Sequence, residues 1–319
     1  MSDHAVTRRH FLAGAAATGA ALAWPRVPGA DPLPDYRGPN MVIVRFGGGV
    51  RREEVLNPDQ TYAPYFLQQL VPRGVFFPDV RIDQFSDIET SHGQGTLYIL
   101  TGKYHRYEDV GGRLVGARFE APVPTLFEYL RGAFAVAPHE AVIINGEDRT
   151  DEEFYNFSNH HLFGVQYRST TLSLFRFKQH ILRRQLEAGI DDDETRAEAE
   201  KRLAEMESLD YRTGGRDLTS PEVEAFWDRW RERYGDSGLK CPRGDRLLTH
   251  LAVAAMDQLR PRLMMINYND PDYVHWGNPA FYFDGIRIID HALERLVAAV
   301  EADPFYAGNT VFVVVPDCG

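Results

Sequence analysis

Short apolar runs alternate with longer segments of helical periodicity along most of the chain. Four runs are rich in β-branched residues and bounded by Gly, Pro or polar residues, which predicts buried strands: NMVIVRF, EAVIING, RLMMINY and NTVFVVV. GVFFPDVRI has a similar composition and predicts a further strand. Between them, helices are predicted for YAPYFLQQLV, GTLYILTG, PTLFEYLRGAF and DRLLTHLAVAAMDQL. This alternation predicts an α/β fold in which helices flank a largely parallel sheet.

A long amphipathic helix is predicted for FYFDGIRIIDHALERLVAAVEADP. Its apolar positions recur at steps of four and three, which places them on one buried face: Tyr282, Ile286, Ile289, Leu293, Leu296 and Val300.

The segment 154–240 differs from the rest because three charge-rich, helix-like stretches follow one another with no apparent strand. It predicts a helical insertion or cap, which leaves 40–153 and 241–319 as the α/β core. The aspartates 191–193 are typical of a helix start. FYNFSNHHLFGVQY, at the edge of the insertion, either lines a pocket or packs in the core.

The first residues look like an export signal. Arg8 and Arg9 precede an Ala/Gly-rich stretch, which resembles a twin-arginine signal peptide cleaved after Ala23. An ordinary secretory signal and a retained membrane anchor are the alternatives. Residues 24–39 form a Pro-rich linker. We expect a periplasmic or secreted protein that uses the twin-arginine export machinery, with no membrane span in the mature chain.

Charge and cysteine content argue against nucleic-acid binding and against a cysteine-based zinc motif. Asp and Glu exceed Lys and Arg by 46 to 35, which argues against nucleic acid as a partner. The two cysteines, Cys241 and Cys318, make no zinc-binding motif. Cys318 is a metal ligand, a disulfide partner or a free thiol.

Reactive residue types gather at the predicted strand ends. Asp272 and His275 follow RLMMINY and suit Zn²⁺ or a related divalent ion, although loops with Asp and His are common. Ser91 and His92, with Thr90 before them, precede a buried helix; they are candidates for catalysis, or an ordinary helix cap beside a surface histidine.

Two further features complete the candidate site. Arg45 and Arg51 flank a glycine triplet and are candidate anion-binding residues, or plain surface charges. Asp317 and Cys318 follow the last strand, where α/β proteins build sites.

The order of these motifs resembles the alkaline phosphatase superfamily of sulfatase-like and phosphodiesterase-like hydrolases, and is closest in character to the exported DUF1501 group. The resemblance covers about 40–105 and 245–319. It implies a largely parallel sheet with two metal ions at the strand ends. Asp272 and His275 would bind one metal and Asp317 the other, with the nucleophile near His92.

The chain also departs from that pattern. Gly48 stands where the first strand should end in a metal-binding Asp, and Asp317–Cys318 replaces an Asp-His pair. The resemblance therefore implies a degenerate site with one or two ions, Zn²⁺ first with Ca²⁺ and Mn²⁺ as alternatives. The metal site that has lost ligands is either empty or binds a softer metal through Cys318. Arg45 and Arg51 would replace the missing metal in binding an anion.

The resemblance implies a periplasmic metal-dependent hydrolase of phosphate or sulfate esters, acting on a small anionic substrate. The alternative is an inactive binding or assembly protein on the same scaffold; a substrate-binding protein unrelated to hydrolases is a third possibility. In that superfamily a further metal-binding His follows beyond the position of Gly319. We therefore expect the C-terminal part of the core to be missing and apolar sheet surface to be exposed.

Overall fold

The computed structural model describes residues 32–80, 91–104, 106–111, 117–146, 150–214, 218–238 and 244–318. The predicted signal peptide, Thr90 and Cys241 lie outside the described residues.

A five-stranded sheet forms the centre of the fold. Its strands are β1 (Asn40–Phe46), β2 (Ala141–Ile144), β3 (Thr170–Leu172), β4 (Leu263–Tyr268) and β5 (Thr310–Val315). They lie in the order β3-β2-β4-β1-β5, and every pairing is parallel. The α/β prediction with a parallel sheet is confirmed.

Helices follow or precede each strand. Within the described residues the α-helices are α1 (Arg52–Leu56), α2 (His92–Thr101), α3 (Leu126–Ala133), α4 (Leu174–Ala188), α5 (Asp193–Ser208), α6 (Pro221–Tyr234), α7 (Asp245–Gln258) and α8 (Pro279–Ala302). The π-helix Phe66–Leu70 occupies part of the predicted helix YAPYFLQQLV. Asp192, in the aspartate run, caps α5 by accepting a hydrogen bond from the Thr195 N–H, as expected.

Strands β1, β2 and β4 are covered on both faces of the sheet, and their successive residues point to opposite sides. On β1, Val42 and Val44 join one apolar cluster with α4, α6, α7 and α8, whereas Ile43 joins a second cluster with α2 and α3. The six apolar positions predicted for α8 are all buried. This helix therefore covers the sheet with the face that its periodicity indicated.

The segment 154–240 forms the three expected helices, α4, α5 and α6, but it is not purely helical. Thr170–Leu172 pairs with β2 and extends the sheet, so the expectation of no strand is wrong there. Phe177 and Phe226, from this segment, share the larger apolar cluster with Ile144. A role as a cap over a site stays a prediction.

Two strand predictions need correction. Gly74–Val80 forms no strand, and Phe77 and Val80 are exposed. Strand β5 is not fully buried: it lies at the sheet edge, with Val311 and Val313 on its exposed face. The expectation that the C-terminal part of the core is missing stays a prediction. No helix among the described residues is both long and apolar enough to span a membrane.

Candidate metal centre

The carboxyl ends of three neighbouring strands bring the predicted site residues together. Strand β1 lies between β4 and β5, so Arg45 stands opposite Asn267 on one side and Val315 on the other. The loops after β4 and β5 carry Asp272 and Asp317. Helix α2 then places His92, its first residue, between these two carboxylates.

His92 contacts three acidic or thiol side chains at once. Its Nδ1 lies 2.9 Å from Asp317 Oδ2 and 3.4 Å from Cys318 Sγ, and its Nε2 lies 3.0 Å from Asp272 Oδ1. Hydrogen bonds to Asp272, Asp317 and Cys318 raise the pKa of His92 to about 11. In this geometry both ring nitrogens of His92 are protonated at neutral pH, so the imidazole is a cation.

Asp317 is a buried carboxylate held between two cations. Its Oδ2 lies 3.7 Å from Arg45 Nε, and its Oδ1 accepts a 2.8 Å hydrogen bond from the Cys318 N–H. Burial would raise the pKa of Asp317, but the charge of Arg45 and the hydrogen bond with His92 hold that pKa below its ordinary value. Asp317 is therefore ionised.

Arg45 is fully buried and connects Asp317 to a residue that the sequence did not indicate. Its guanidinium pairs with Glu152, donates a 2.6 Å hydrogen bond to Thr96 Oγ1 and contacts the Tyr268 carbonyl. Burial would lower the pKa of Arg45, but the charges of Glu152 and Asp317 raise it above its ordinary value. Arg45 thus reaches the centre through Asp317, and its predicted contact with substrate stays a prediction.

These contacts form a row of alternating charge. Glu152, Arg45, Asp317, His92 and Asp272 follow one another as anion, cation, anion, cation and anion. Each buried charge has opposite charges beside it, which offsets part of the cost of removing it from water. The row runs from a fully buried end at Glu152 toward the surface at His275.

The outer end of the row lies in the 3₁₀ turn Asp270–Trp276. His275 Nε2 is 3.3 Å from Asp272 Oδ1, and its side chain is 67% exposed, so the loop turns the two predicted ligands together. Asp245 holds the turn in place by accepting hydrogen bonds of 2.8 Å and 2.7 Å from the N–H groups of Asn269 and Asp270. Burial, followed by the charge of Asp270, raises the pKa of Asp245.

Two glycines let the backbone segments of the centre approach closely. Gly48 has φ +89°, and a Cβ there would lie 2.5 Å from the Asp272 backbone nitrogen. A Cβ at Gly95, in α2, would lie 2.0 Å from the Asp317 carbonyl oxygen. The position where the resemblance expects an Asp is therefore one where any side chain would collide with the Asp272 loop.

His92, Asp317 and Cys318 could hold a metal ion, since one ligand atom from each lies within 4.8 Å of the others. Among the described residues this is the group of at least three such side chains that meets that distance. Ligand atoms in a tetrahedral zinc site, with bonds of about 2.0 to 2.3 Å, are roughly 3.3 to 3.8 Å apart. The 3.4 Å from Nδ1 to Sγ fits this spacing, and the 2.9 Å from Nδ1 to Oδ2 is slightly closer.

The remaining predicted residues lie around the centre. Ser91 caps α2, its hydroxyl accepting a hydrogen bond from the Gln94 N–H. Arg51 pairs with Glu54, and its side chain is 70% exposed. Cys318 forms no disulfide within the described residues, and the other cysteine of the sequence, Cys241, lies outside them. Catalysis by Ser91 and anion binding by Arg51 stay predictions.

Glu152 could not be found by the sequence patterns used above, because it lies 107 positions from Arg45 in an acidic stretch without periodicity. No protein-family model, curated protein or solved structure matches this chain. The resemblance to the alkaline phosphatase superfamily therefore depends on its sequence motifs alone.

Proposed function

We propose that this protein is an exported, metal-dependent hydrolase of phosphate or sulfate esters, with His92, Asp317 and Cys318 as the ligands of one divalent ion. The observation that carries the proposal is the convergence of these three side chains at adjoining strand ends, where parallel α/β folds place their sites.

The electrostatics of the centre favour a cation between the two carboxylates. His92 is a cation, protonated on both ring nitrogens, because Asp272 and Asp317 both accept hydrogen bonds from its ring. A divalent ion on Nδ1 would replace one proton and supply the same sign of charge. Asp272 would stay on Nε2, which is the arrangement that orients metal-binding histidines.

The chemistry of the donors selects among the candidate metals. One nitrogen, one carboxylate oxygen and one sulfur suit Zn²⁺, whereas Ca²⁺ and Mn²⁺ prefer oxygen ligands. Zn²⁺ is therefore the first candidate. When bound, it would polarise an ester oxygen and offset charge that develops during hydrolysis.

The nearby thiol could suggest a different chemistry, a cysteine nucleophile activated by His92. A protonated imidazole next to a thiol favours the reactive thiolate, so the charge of His92 suits a nucleophile as well as it suits a metal ligand. The geometry favours the metal ligand, because Asp317 Oδ2 lies 2.9 Å and Cys318 Sγ 3.4 Å from the same His92 nitrogen. A carboxylate, an imidazole and a thiol thus converge on one point.

The surroundings suit an anionic ester that approaches from the exposed side of the centre. His275 is exposed beside Asp272, and Arg51 is exposed next to the glycine loop that packs against Asp272. The charge of Arg51 would attract a phosphate or sulfate group, and a ring N–H of His275 would donate a hydrogen bond to it. Glu54 already pairs with Arg51, so the substrate would compete with that carboxylate.

An inactive binding or assembly protein is the second candidate, and Arg45 is the observation that favours it. A fully buried arginine, paired with Glu152, stands at the end of β1, the strand where the resemblance implies a metal-binding carboxylate. In this second candidate the centre would bind its ion and an anionic ligand but hydrolyse no ester.

The test is metal content followed by activity. The purified protein is dialysed against Zn²⁺ and then buffer, and its zinc is measured by elemental analysis beside that of His92→Ala and His291→Ala. His291 is an exposed histidine paired with Glu294, so its variant is the matched control. We expect one zinc in the wild type and His291→Ala and none in His92→Ala, with turnover of p-nitrophenyl phosphate or p-nitrophenyl sulfate.

Three outcomes separate the candidates. Zinc that depends on His92 together with ester turnover supports the hydrolase. Zinc without turnover of either ester supports the binding protein. A wild-type protein without zinc, manganese or calcium overturns the metal centre.

A further inference from the structure

The glycine loop that follows β1, residues 47–49, lies against two residues of the metal centre. A Cβ added at Gly48 would lie 2.5 Å from the Asp272 backbone nitrogen. A Cβ added at Gly49 would lie 4.0 Å from Cys318 Sγ and, apart from its chain neighbours, would meet no other atom within 4 Å. The loop therefore packs on the Asp272 turn and leaves space beside the Cys318 thiol.

Two successive backbone donors in this loop have no acceptor. Among the described residues, the N–H groups of Gly49 and Val50 donate to no backbone or side-chain group. The next N–H, that of Arg51, donates a 2.8 Å hydrogen bond to the Tyr282 hydroxyl. Gly49 and Val50 are both half-buried. Successive N–H groups in a turn form anion-binding sites in proteins, because each adds a fixed partial positive charge.

The arginines that flank the loop are already engaged by carboxylates. Arg45 is fully buried and pairs with two of them. Arg51 donates from Nε to Glu54 Oε2 at 3.0 Å, so an anion that binds its guanidinium must compete with that carboxylate. The N–H groups of Gly49 and Val50 have no such competitor within the described structure. The backbone thus offers an anion the donors that the side chains do not.

Glycine at position 49 keeps the approach to these donors open. Its φ of +65° lies in the region that favours glycine over other residues. Any other side chain would begin with a Cβ in the space beside Cys318 Sγ, where an oxyanion held at the metal centre would lie. The lack of a side chain therefore lets an anion reach both the backbone and the centre.

We propose that Gly49 and Val50 bind the oxyanion of the substrate, their N–H groups donating hydrogen bonds to oxygens of a phosphate or sulfate group at the metal centre. This inference rests on the proposed function, and it assigns the recognition of the anionic group to the loop. The backbone fixes both donors before the anion binds, so little reorganisation is needed when negative charge develops on those oxygens.

The test is amide NMR of the isotope-labelled, zinc-loaded protein, titrated with inorganic phosphate and with sulfate. Chloride at equal ionic strength is the control for nonspecific effects of salt. We expect saturable downfield shifts of the Gly49 and Val50 amide protons, because both would donate to an anion. The Gly102 amide already donates to the Tyr98 carbonyl at 2.9 Å and should keep its position.

Gly49→Ala tests the loop, and Gly102→Ala is its matched control. The two glycines have nearly equal φ, +65° and +63°, and a Cβ at either one collides with no atom. Gly49→Ala should weaken phosphate binding about tenfold, the effect of one hydrogen bond to a charged group. It should keep its zinc, since Gly49 provides no ligand atom. Gly102→Ala should bind phosphate as the wild type does.

The outcomes decide this inference separately from the hydrolase. If phosphate binds without shifting the Gly49 and Val50 amides, or binds equally well to Gly49→Ala, side chains hold the anion and the inference is overturned. If neither phosphate nor sulfate binds, it is overturned as well. Zinc content and ester turnover are measured on the same preparation and decide the proposed function. The amide shifts decide the role of the loop whatever those two measurements give.

Discussion

The Arg45 guanidinium lies 3.7 Å from the Asp317 carboxylate, measured from Nε to Oδ2, with both side chains fully buried. Glu152 pairs with the same guanidinium from another direction. Arg45 therefore divides its charge between two carboxylates. Arg45 therefore neutralises Asp317 only in part, and Asp317 can still attract His92 and a metal ion. The strength of the Arg45–Glu152 pair determines how much of the Asp317 charge Arg45 neutralises.

Replacing Glu152 by Gln should weaken zinc binding without touching a ligand. Arg45 would lose one carboxylate and pair more fully with Asp317, which would then be a poorer ligand. We expect the zinc affinity to fall about tenfold or more, as found for residues that support metal ligands. Competition with a chelating dye measures this change.

Two further variants separate charge from structure. Glu153→Gln alters the neighbouring carboxylate, which pairs with Arg176 rather than Arg45, and should keep the wild-type zinc affinity. Arg45→Met combined with Glu152→Gln removes both charges and should bind zinc more tightly than Glu152→Gln alone. If the double variant binds no better than the single one, Glu152 acts through folding and not through charge.

The close contact between α2 and the last loop gives a steric prediction. Gly95→Ala would place a Cβ 2.0 Å from the Asp317 carbonyl, so Asp317 and Cys318 must move away from His92. We expect a loss of about 1 to 3 kcal/mol in the free energy of unfolding, together with loss of bound zinc. Urea unfolding and elemental analysis measure the two effects.

Gly102→Ala provides the contrast at the end of the same helix. Gly102 has φ +63°, and a Cβ added there would meet no atom within 4 Å, so alanine adds backbone strain but no collision. We expect a loss of about 1 kcal/mol and normal zinc content. Equal zinc content in the two variants would show that the Gly95 contact does not position the ligands.

Much of the fold was accessible from the sequence because its signals are local. The steps of four and three in α8 reflect one buried helix face, and the apolar runs of β1, β2 and β4 reflect strands covered on both sides. These local signals failed where the secondary structure of a segment depends on pairing with distant parts of the chain. Gly74–Val80 has the composition of a strand but pairs with no other strand among the described residues, and three-residue β3 is too short to show a period.

Local sequence signals likewise indicated one part of the candidate site and missed another. Strand-end position and residue type pointed to His92, Asp272, Asp317 and Cys318, which the structure brings together. The pairing of Arg45 with Glu152 depends on which loops meet beneath the sheet end. No local sequence pattern indicates which loops come into contact.

A buried ion-pair cluster away from the centre predicts acid sensitivity. Asp210 Oδ1 lies 2.8 Å from Arg212 Nε and 3.3 Å from Arg118 Nη2. Burial would raise the pKa of Asp210, but Arg212 and Arg118 outweigh it and lower that pKa. The resulting stability is fully present above the unfolded pKa, about 3.9, and is lost as the pH falls toward the folded value.

Asp210→Asn should therefore destabilise the protein at pH 7 by about 2 kcal/mol, the typical contribution of hydrogen bonds to a charged group. At pH 3 the difference from the wild type should shrink, because the wild-type carboxylate is then partly protonated. Urea unfolding at both values measures it. Asp284→Asn, at an exposed pair with Arg287, should change little at either pH. A difference that does not depend on pH would contradict the assignment.

The most direct test of the metal centre is X-ray absorption at the zinc edge, on the zinc-loaded protein and on Cys318→Ser. The His92, Asp317 and Cys318 ligand set predicts one sulfur at about 2.3 Å and nitrogen or oxygen neighbours at about 2.0 to 2.2 Å. The sulfur signal should disappear in Cys318→Ser. A wild-type spectrum with only nitrogen and oxygen neighbours would contradict this ligand set and place the zinc elsewhere in the protein.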